Sequence, residues 1–413
     1  MENREREIAG QHQGAAMKKG FPTKPLQSLC DDFKQDIVDG PFGSELKRED
    51  YITEGIPVLK IQNVKPFAIE LKKMDYVSVE KFHELRRHSF RRGDIVMTKL
   101  GSPLGVSAIV EDVEEGVIVA DLVRVRAQQI NTKYLCYHLN SQRTNDFINS
   151  MQKGTTRPRV TLSVVRELPI YSPPLAEQQR IVGLLDEAFE SIATAKVNAE
   201  KNLQNARALF ESHLQSVFTQ RGLGWVEKRL DALAKFSQGI QIGLSDQSNA
   251  PAKGWVRFIR IIDYTQGMDD IRYVQDPGCR YWADKSDIVM VRYGTPGLVG
   301  RGIEGVIANN LFKISILDGS LTNDFLAYFL GQQTVQNYLS SQGSSTMPAL
   351  TFTQLGAVMV SFPHEMEEQR GIATKLDSLR EETQRLARLY ERKLAALEAL
   401  KKSLLHQAFS GEL

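Results

Sequence analysis

Two stretches of this chain repeat their apolar residues every three or four positions for far longer than a single globular helix needs. In Pro174 to Arg221 the stripe is Ile181, Leu185, Ala188, Ile192, Ala195, Ala199, Leu203, Ala206, Phe210 and Val217. In Glu365 to Phe409 it is Ile372, Leu376, Leu379, Leu386, Tyr390, Leu394, Leu397 and Leu404. Such spacing lines one apolar seam along a helix. Between Gly183 and Gly222 the first stretch holds no Gly, and no Pro follows Pro174, so nothing interrupts it. Some 45 residues at about 1.5 Å each make a rod of roughly 65 Å. One apolar stripe on such a rod needs a partner helix, and the second stretch is the expected partner.

Elsewhere the apolar residues follow a shorter period. Pro57 to Val64 alternates like a strand, and Ile95 to Thr98, Val117 to Ala120 and Leu122 to Val125 continue the series. Lys133 to Gln152 carries helical spacing through Leu135, Leu139, Phe147 and Ile148, and Val165 to Ile170 reads as a last strand before Pro173-Pro174. The expectation is an α+β domain with a curved, largely antiparallel sheet. Residues 1–20 are polar and aperiodic and read as a frayed tail, with Met17 a second candidate for the start.

The same grammar restarts after the first rod. Leu26 and Leu29 line up with Leu230 and Leu233, and Leu59-Lys60-Ile61 with Ile259-Arg260-Ile261. Asp94-Ile95-Val96-Met97 returns unchanged as Asp287-Ile288-Val289-Met290, and Lys99-Leu100-Gly101 returns as Arg292-Tyr293-Gly294. Glu177-Gln178-Gln179-Arg180-Ile181 is set against Glu367-Glu368-Gln369-Arg370-Gly371, which puts Gly371 in the place of Ile181. The offset between matching residues falls from 204 (Gly20 to Gly224) through 200 and 193 to 190 (Thr161 to Thr351), so the second copy is shorter. The order is a tail (1–20), a domain (21–173), a long helix (174–221), a second domain (222–363) and a second long helix (364–413). The fold class expected is α+β: two globular α/β domains separated by two long helices paired as an antiparallel coiled coil, with an internal pseudo-two-fold repeat.

Composition narrows the function less than pattern does. With 42% hydrophobic and 25% charged residues the chain is ordinary for a globular protein, and a net charge of +2 makes no case for nucleic acid in bulk. Three cysteines, Cys30, Cys136 and Cys279, form no pairing pattern, which fits a reduced cytoplasm. No signal peptide or membrane-spanning apolar run is present.

Local chemistry lies in the loops that punctuate the repeat. Asp39-Gly40-Pro41-Phe42-Gly43-Ser44 is followed by Lys47 and Arg48, and Arg91-Arg92 close a basic cluster that begins at Arg86. Lys99 stands at a strand end beside Gly101. Lys153, Thr155, Thr156, Arg157 and Arg159 put three cations and two hydroxyls into seven residues. The second copy offers Arg260, Arg292, Ser344, Ser345 and Thr346. Hydroxyls and backbone N–H groups bind phosphate, and Arg reads guanine through two hydrogen bonds. Each signal alone is more often a solvated face or a common turn, and Phe42 and Phe90 are more often core or turn anchors than stacking platforms. Recurrence is what lifts them: a repeated fold needs repeated glycines, but it does not need a cation at both Lys99 and Arg292. The opening Glu177 and Glu367 suit helix dipoles. Catalytic motifs are missing: the seven histidines have no metal-ligand spacing, and no phosphate loop, dinucleotide fingerprint or nucleophile elbow occurs.

Pro173-Pro174-Leu175-Ala176-Glu177-Gln178-Gln179-Arg180-Ile181-Val182, Gly40-Pro41-Phe42-Gly43-Ser44 and the closing Leu404 to Leu413, on a domain-rod-domain-rod repeat, resemble the specificity subunits of type I DNA restriction-modification enzymes. The resemblance covers about residues 21 to 413. It implies that the globular parts are target recognition domains, each reading half of a split double-stranded DNA sequence, and that the rods set the spacer. It implies no catalysis in this chain and no cofactor of its own. Two methyltransferase subunits with S-adenosylmethionine, and restriction subunits with ATP and Mg, are the implied partners in a prokaryotic cytoplasm. The second copy departs from the pattern at Ser344-Ser345-Thr346-Met347, which lacks the arginines that follow Thr156. The competing readings are a DNA-independent scaffold, a stand-alone DNA-binding regulator, and a nuclease or methyltransferase in its own right.

Overall fold

The computed structural model describes residues 22–154, 157–266, 270–317, 319–341, 349–410 and 412. The tail at 1–20 and the choice between Met1 and Met17 lie outside them, as do Thr155, Thr156, Ser344, Ser345 and Thr346. Contacts divide the chain into one unit of residues up to Asn198 with Lys393–Leu413, and a second of Ala199–Arg392.

In the first unit ten strands follow in chain order: β1 (Thr23–Pro25), β2 (Ile37–Asp39), β3 (Ile56–Leu59), β4 (Asp75–Val77), β5 (Ser89–Arg91), β6 (Ile95–Thr98), β7 (Ser107–Ile109), β8 (Glu115–Ile118), β9 (Leu122–Val125) and β10 (Pro169–Tyr171). A minor hairpin lies at Val64–Lys65 and Ala68–Ile69. The single curved sheet expected is instead two four-stranded sheets, β2-β9-β6-β7 and β4-β3-β8-β5, with β1 paired to β10 separately. β3 and β8 run parallel, Val58 opposite Val117. The run read as a strand from Pro57 to Val64 ends at Leu59, because a 3-10 turn over Ile61–Asn63 follows it.

The helices are set by their caps. α1 (Thr132–Leu139) starts where the Asn131 side chain accepts from the Tyr134 amide, and α2 (Gln142–Met151) where Ser141 accepts from Thr144. The one helix expected over 133–152 therefore breaks at Asn140-Ser141, since Ser141 is extended (φ −72°, ψ 155°) in order to cap the second. Val165 to Ile170 is not one strand: Thr161 caps a short helix α3 (Leu162–Arg166), and only Pro169–Tyr171 extends. Val165, Leu168 and Ile170 are all buried, but the first two are helically spaced. Then comes α4 (Leu175–Thr219).

The second unit repeats this plan: β11 (Trp225–Arg229), β12 (Ala234–Gln238), β13 (Trp255–Ile259), β14 (Arg272–Gln275), β15 (Trp282–Ala283), β16 (Ile288–Val291), β17 (Val299–Gly300), β18 (Gly305–Ile307), β19 (Leu311–Ile316) and β20 (Met359–Pro363). Its sheets are β12-β19-β16-β17 and β14-β13-β18-β15, the latter with Gln247–Ser248 as an extra edge, and β11 pairs with β20. β13 and β18 are again the parallel pair, Phe258 opposite Val306. Helices α5 (Asn323–Gly331), α6 (Gln333–Ser341), α7 (Phe352–Gly356) and α8 (Met366–Ser410) follow the order of α1 to α4.

Within each unit the long helices lie antiparallel. In the first, Ile181 and Leu185 share a core with Leu405, Ala408 and Phe409, and Lys196 bonds Glu398 at 2.7 Å. In the second, Leu214 and Phe218 share a core with Ala373 and Leu376, and Arg207 bonds Glu391 at 2.8 Å. Leu185, Ile192, Ala199 and Ala206 are buried at intervals of seven, the period of a left-handed coiled coil. Thr383 also lies in the seam of α8, its hydroxyl donating back to the Leu379 carbonyl at 2.8 Å, so a polar residue interrupts the stripe without an unmet hydrogen bond.

A buried amide fixes the register of the repeat and corrects the alignment of the two helix starts. Gln178 accepts from the Asn131 amide (2.8 Å) and donates to the Pro173 carbonyl (2.7 Å). Gln369 accepts from the Thr322 amide (2.8 Å) and donates to the Ser320 and Pro363 carbonyls (2.9 Å each). Gln369 therefore matches Gln178, and Ile372 rather than Gly371 takes the place of Ile181.

Candidate nucleic-acid interface

Lys99 directly follows strand β6, and the loop before α3 folds onto it. Leu100 and Lys153 both bridge Arg159, the Val160 amide bonds the Lys99 carbonyl (3.0 Å), and the Gly101 amide bonds Pro158 (3.0 Å). Lys99, Lys153, Arg157 and Arg159 are thereby gathered at one corner. Two of them face carboxylates. Lys99 Nζ is 2.5 Å from Asp39 Oδ2 with only 18% of its side chain exposed, whereas Arg157, 71% exposed, is 3.6 Å from Asp121. Gly40 closes the same corner. A Cβ there would sit 2.1 Å from the Val119 carbonyl, so only glycine lets the two backbones pass.

The remaining cations of the first domain stand elsewhere. Arg91 and Arg92 precede β6, at its opposite end from Lys99, beside Asp94 (4.0 Å) and Glu114 (3.1 Å). Lys47 lies in the turn after β2, 3.5 Å from Glu49. Phe90 is a core residue, 1% exposed. Phe42 is 74% exposed: its backbone anchors the turn, accepting from Glu45 and Leu46, while its ring faces solvent.

The second domain builds the same corner from other residues. Gly239 replaces Gly40, its Cβ position 2.2 Å from the Ile307 and Ala308 carbonyls. The Arg292 amide bonds the Asn310 carbonyl (2.8 Å) as the Lys99 amide bonds Asp121 (2.9 Å), and Tyr293 bridges Ala349. Arg292 has no carboxylate within ion-pair distance among the described residues and instead stacks on Tyr293 (4.6 Å) and Phe312 (5.5 Å). Arg260 is held inside the domain by Asp263 (3.5 Å) and Asp270 (3.2 Å), its side chain 17% exposed, so its first role is structural.

The residues that sequence reasoning passed over are amides. Gln238, Gln241, Asn309 and Asn310 surround the second corner: Gln238 Nε2 donates to the Asn309 carbonyl (2.8 Å), and Asn309 Nδ2 donates to Gln241 Oε1 (3.2 Å). Their sequence signal was slight, an Asn-Asn turn after an apolar strand. Among the described residues no group of three His, Cys, Asp or Glu is placed to hold a metal, and no helix is long and apolar enough to cross a membrane.

Two copies of one fold, each with a loop corner of cations or amides and each followed by a long helix, define a duplicated protein. The family model of the type I restriction modification DNA specificity domain matches residues 93–204 and 224–392. A Methanocaldococcus jannaschii protein described as the MjaX type I restriction enzyme specificity subunit is 21% identical over 392 residues, 87% of either chain. The Escherichia coli EcoBI specificity subunit is 22% identical over 64% of this chain and 63% of its own. Two solved folds are similar: a chain from a study of complex assembly and conformational transition of the type I R-M system (TM-score 0.76, 21% identity, 97% of this chain and 100% of that one), and the HsdS subunit of Thermoanaerobacter tengcongensis (TM-score 0.61, 20% identity, the same shares). This chain belongs to the type I restriction-modification DNA specificity family, as a specificity subunit whose repeats are DNA target recognition domains.

Proposed function

We propose that the two domains, 21–173 and 222–363, each read one half of a bipartite duplex DNA target, and that the long helices set the gap. The observation that carries this reading is one topology presenting different side chains at the same corner in each copy. The chain supplies recognition and no chemistry. Adenine methylation belongs to two methyltransferase subunits with S-adenosylmethionine, and cleavage to restriction subunits with ATP and Mg, all in the cytoplasm. Docking of partners on the helices is supported by Leu184, Val197, Leu209, Leu389 and Leu400, large apolar side chains that the coiled coil leaves exposed.

Division of the target into two short halves suits the energetics. A wrong base pair costs about 1–3 kcal/mol, roughly additively, so two half-sites multiply their discrimination. Co-expression with the cognate methyltransferase subunit, followed by sequencing of modified adenines, should return a split motif with one fixed gap. A continuous motif, or none, sinks the proposal.

One heptad inserted after Ala199 together with one after Lys393 should lengthen that gap, by up to about three base pairs at about 1.5 Å per residue, with both half-sites unaltered. An unchanged gap would remove the helices from the role of spacer. Arg157→Ala with Arg159→Ala should weaken DNA binding and reduce its salt dependence while leaving subunit assembly intact, because phosphate contacts carry the salt slope. Lost assembly would assign these arginines to structure.

A further inference from the structure

The second corner opens into a cleft of about 500 Å³ lined by Gln241, Gln247, Arg260, Ala308, Asn309 and Asn310. Its chemistry differs from that of its counterpart. Matched through Gly40 and Gly239, and through the Lys99 and Arg292 amides, the places of Gln238, Gln241, Asn309 and Asn310 are held in the first domain by Asp39, Phe42, Ala120 and Asp121. Asp39 and Asp121, each paired with a cation, give way to the amides Gln238 and Asn310, and Phe42 and Ala120 give way to Gln241 and Asn309.

Those amides are not used up by the protein. Asn309 Nδ2 bonds Gln241 Oε1, which fixes which way the Gln241 amide faces. Among the described residues Gln241 Nε2 and Asn309 Oδ1 have no protein partner. Asn310 Oδ1 and Gln247 Oε1 are buried with none. The groups left open at the mouth of the cleft are Gln241 Nε2 and the second lone pair of its Oε1, a donor beside an acceptor in one amide plane. Gln241 itself is solvent-exposed at the mouth of the cleft, on the loop after β12.

We propose that Gln241, oriented by Asn309, reads an adenine in the half-site of the second domain. A Gln side chain meets adenine through two hydrogen bonds in the major groove: its Nε2 donates to N7, and its Oε1 accepts from the N6 amino group. The second lone pair of Oε1 is the one Asn309 leaves open. Arg260, by contrast, is tied to Asp263 and Asp270, and Arg292 lies against Tyr293 and Phe312. The inference rests on the reading of the chain as a DNA-recognition subunit.

The test is selection from a duplex library with randomised positions, using the full-length chain assembled with its methyltransferase subunits. The wild type should enrich a split motif. Gln241→Ala should lower the preference for A at one position of one half-site about tenfold or more and leave the other half unchanged. Gln241→Glu should move that same position toward C, because a carboxylate only accepts and cytosine N4 donates. A misfolded domain cannot gain a new base preference, so the Glu variant decides the matter even if the Ala variant folds poorly. If both variants keep the wild-type motif, or lose the whole half-site with no new preference, the assignment of Gln241 is overturned and the DNA reading stands. If the wild type itself enriches nothing, the DNA reading falls and takes this assignment with it.

Discussion

Replacing Phe409 by Ala is expected to lower the unfolding free energy of the first unit by about 3–5 kcal/mol. Phe409 is 1% exposed near the end of α8. Its ring meets Tyr134 edge-on at 5.3 Å and His138 at 4.8 Å, both on α1. Tyr134 is itself fully buried and donates its hydroxyl to the Tyr171 carbonyl on β10 at 3.0 Å, so the walls of the resulting cavity are pinned from two directions. A site that cannot collapse falls at the costly end of large-to-small substitutions. The second unit contains the equivalent device: Phe218 near the end of α4 meets Phe325 and Phe329 on α5, each at 5.4 Å. The exposed Phe42 supplies the control, because Phe42→Ala should stay within about 0.5 kcal/mol of wild type.

The chain's own fluorophores separate the two units. Its three tryptophans, Trp225, Trp255 and Trp282, all belong to the second. Denaturant unfolding of Phe409→Ala, followed by far-UV circular dichroism and by Trp fluorescence, should show the dichroism transition moving to lower denaturant while the fluorescence midpoint holds. Coincident shifts would mean that the units unfold as one. A dichroism midpoint equal to wild type would show that the ring contributes little.

The long helices and the duplication were legible because each is a periodic signal over many residues. Leu26 and Leu29, and their matches Leu230 and Leu233, are all almost wholly buried, as the repeated spacing required. What escaped was set by single hydrogen bonds. One Ser cap splits α1 from α2, and one Thr cap turns a presumed strand into α3, because a side-chain oxygen accepting one amide outweighs a weak apolar pattern. The one-residue slip between the helix starts has the same origin. A Gln in Glu-Gln-Gln-Arg looks like surface until it is seen bonding the backbone of a neighbouring loop. At the candidate site, recurrence singled out Lys99 and Arg292, and the fold does place them equivalently. Sequence could not tell that Asp39, sixty residues away, would hold the first, or that aromatic rings would cover the second. Nor could it raise Gln241 and Asn309 above other polar loop residues, since their meaning lies in a contact across 68 positions.

Acid should act on the two units unequally, and His138 is the reason. It is buried on α1, and burial, with Arg143 nearby, lowers its pKa to about 3 from an ordinary 6.5. Its Nε2 accepts from the Tyr171 amide at 3.1 Å. Thr144 donates its hydroxyl to the His138 carbonyl (2.8 Å), so Nδ1 must carry the proton and donate to Thr144 Oγ1 (3.1 Å). Protonation of Nε2 would destroy the acceptor that holds β10. The folded pKa lies below the unfolded one, so the stabilisation is complete above pH 6.5. It declines as the unfolded chain takes up a proton that the folded chain refuses, until about pH 3. At about 1.4 kcal/mol per pH unit, the loss at pH 4 is about 3–4 kcal/mol. The second unit has Phe329 at this place and carries no such liability. Lowering the pH from 7 to 4 should therefore unfold the first unit while Trp fluorescence still reports a folded second unit. His138→Phe, which copies the second unit, should be about 1–3 kcal/mol less stable at pH 7 for want of the Tyr171 acceptor, yet lose less stability on acidification, so that the two curves cross near about pH 5. If the variant and the wild type lose stability in parallel between pH 6.5 and 4, His138 is not the group that titrates.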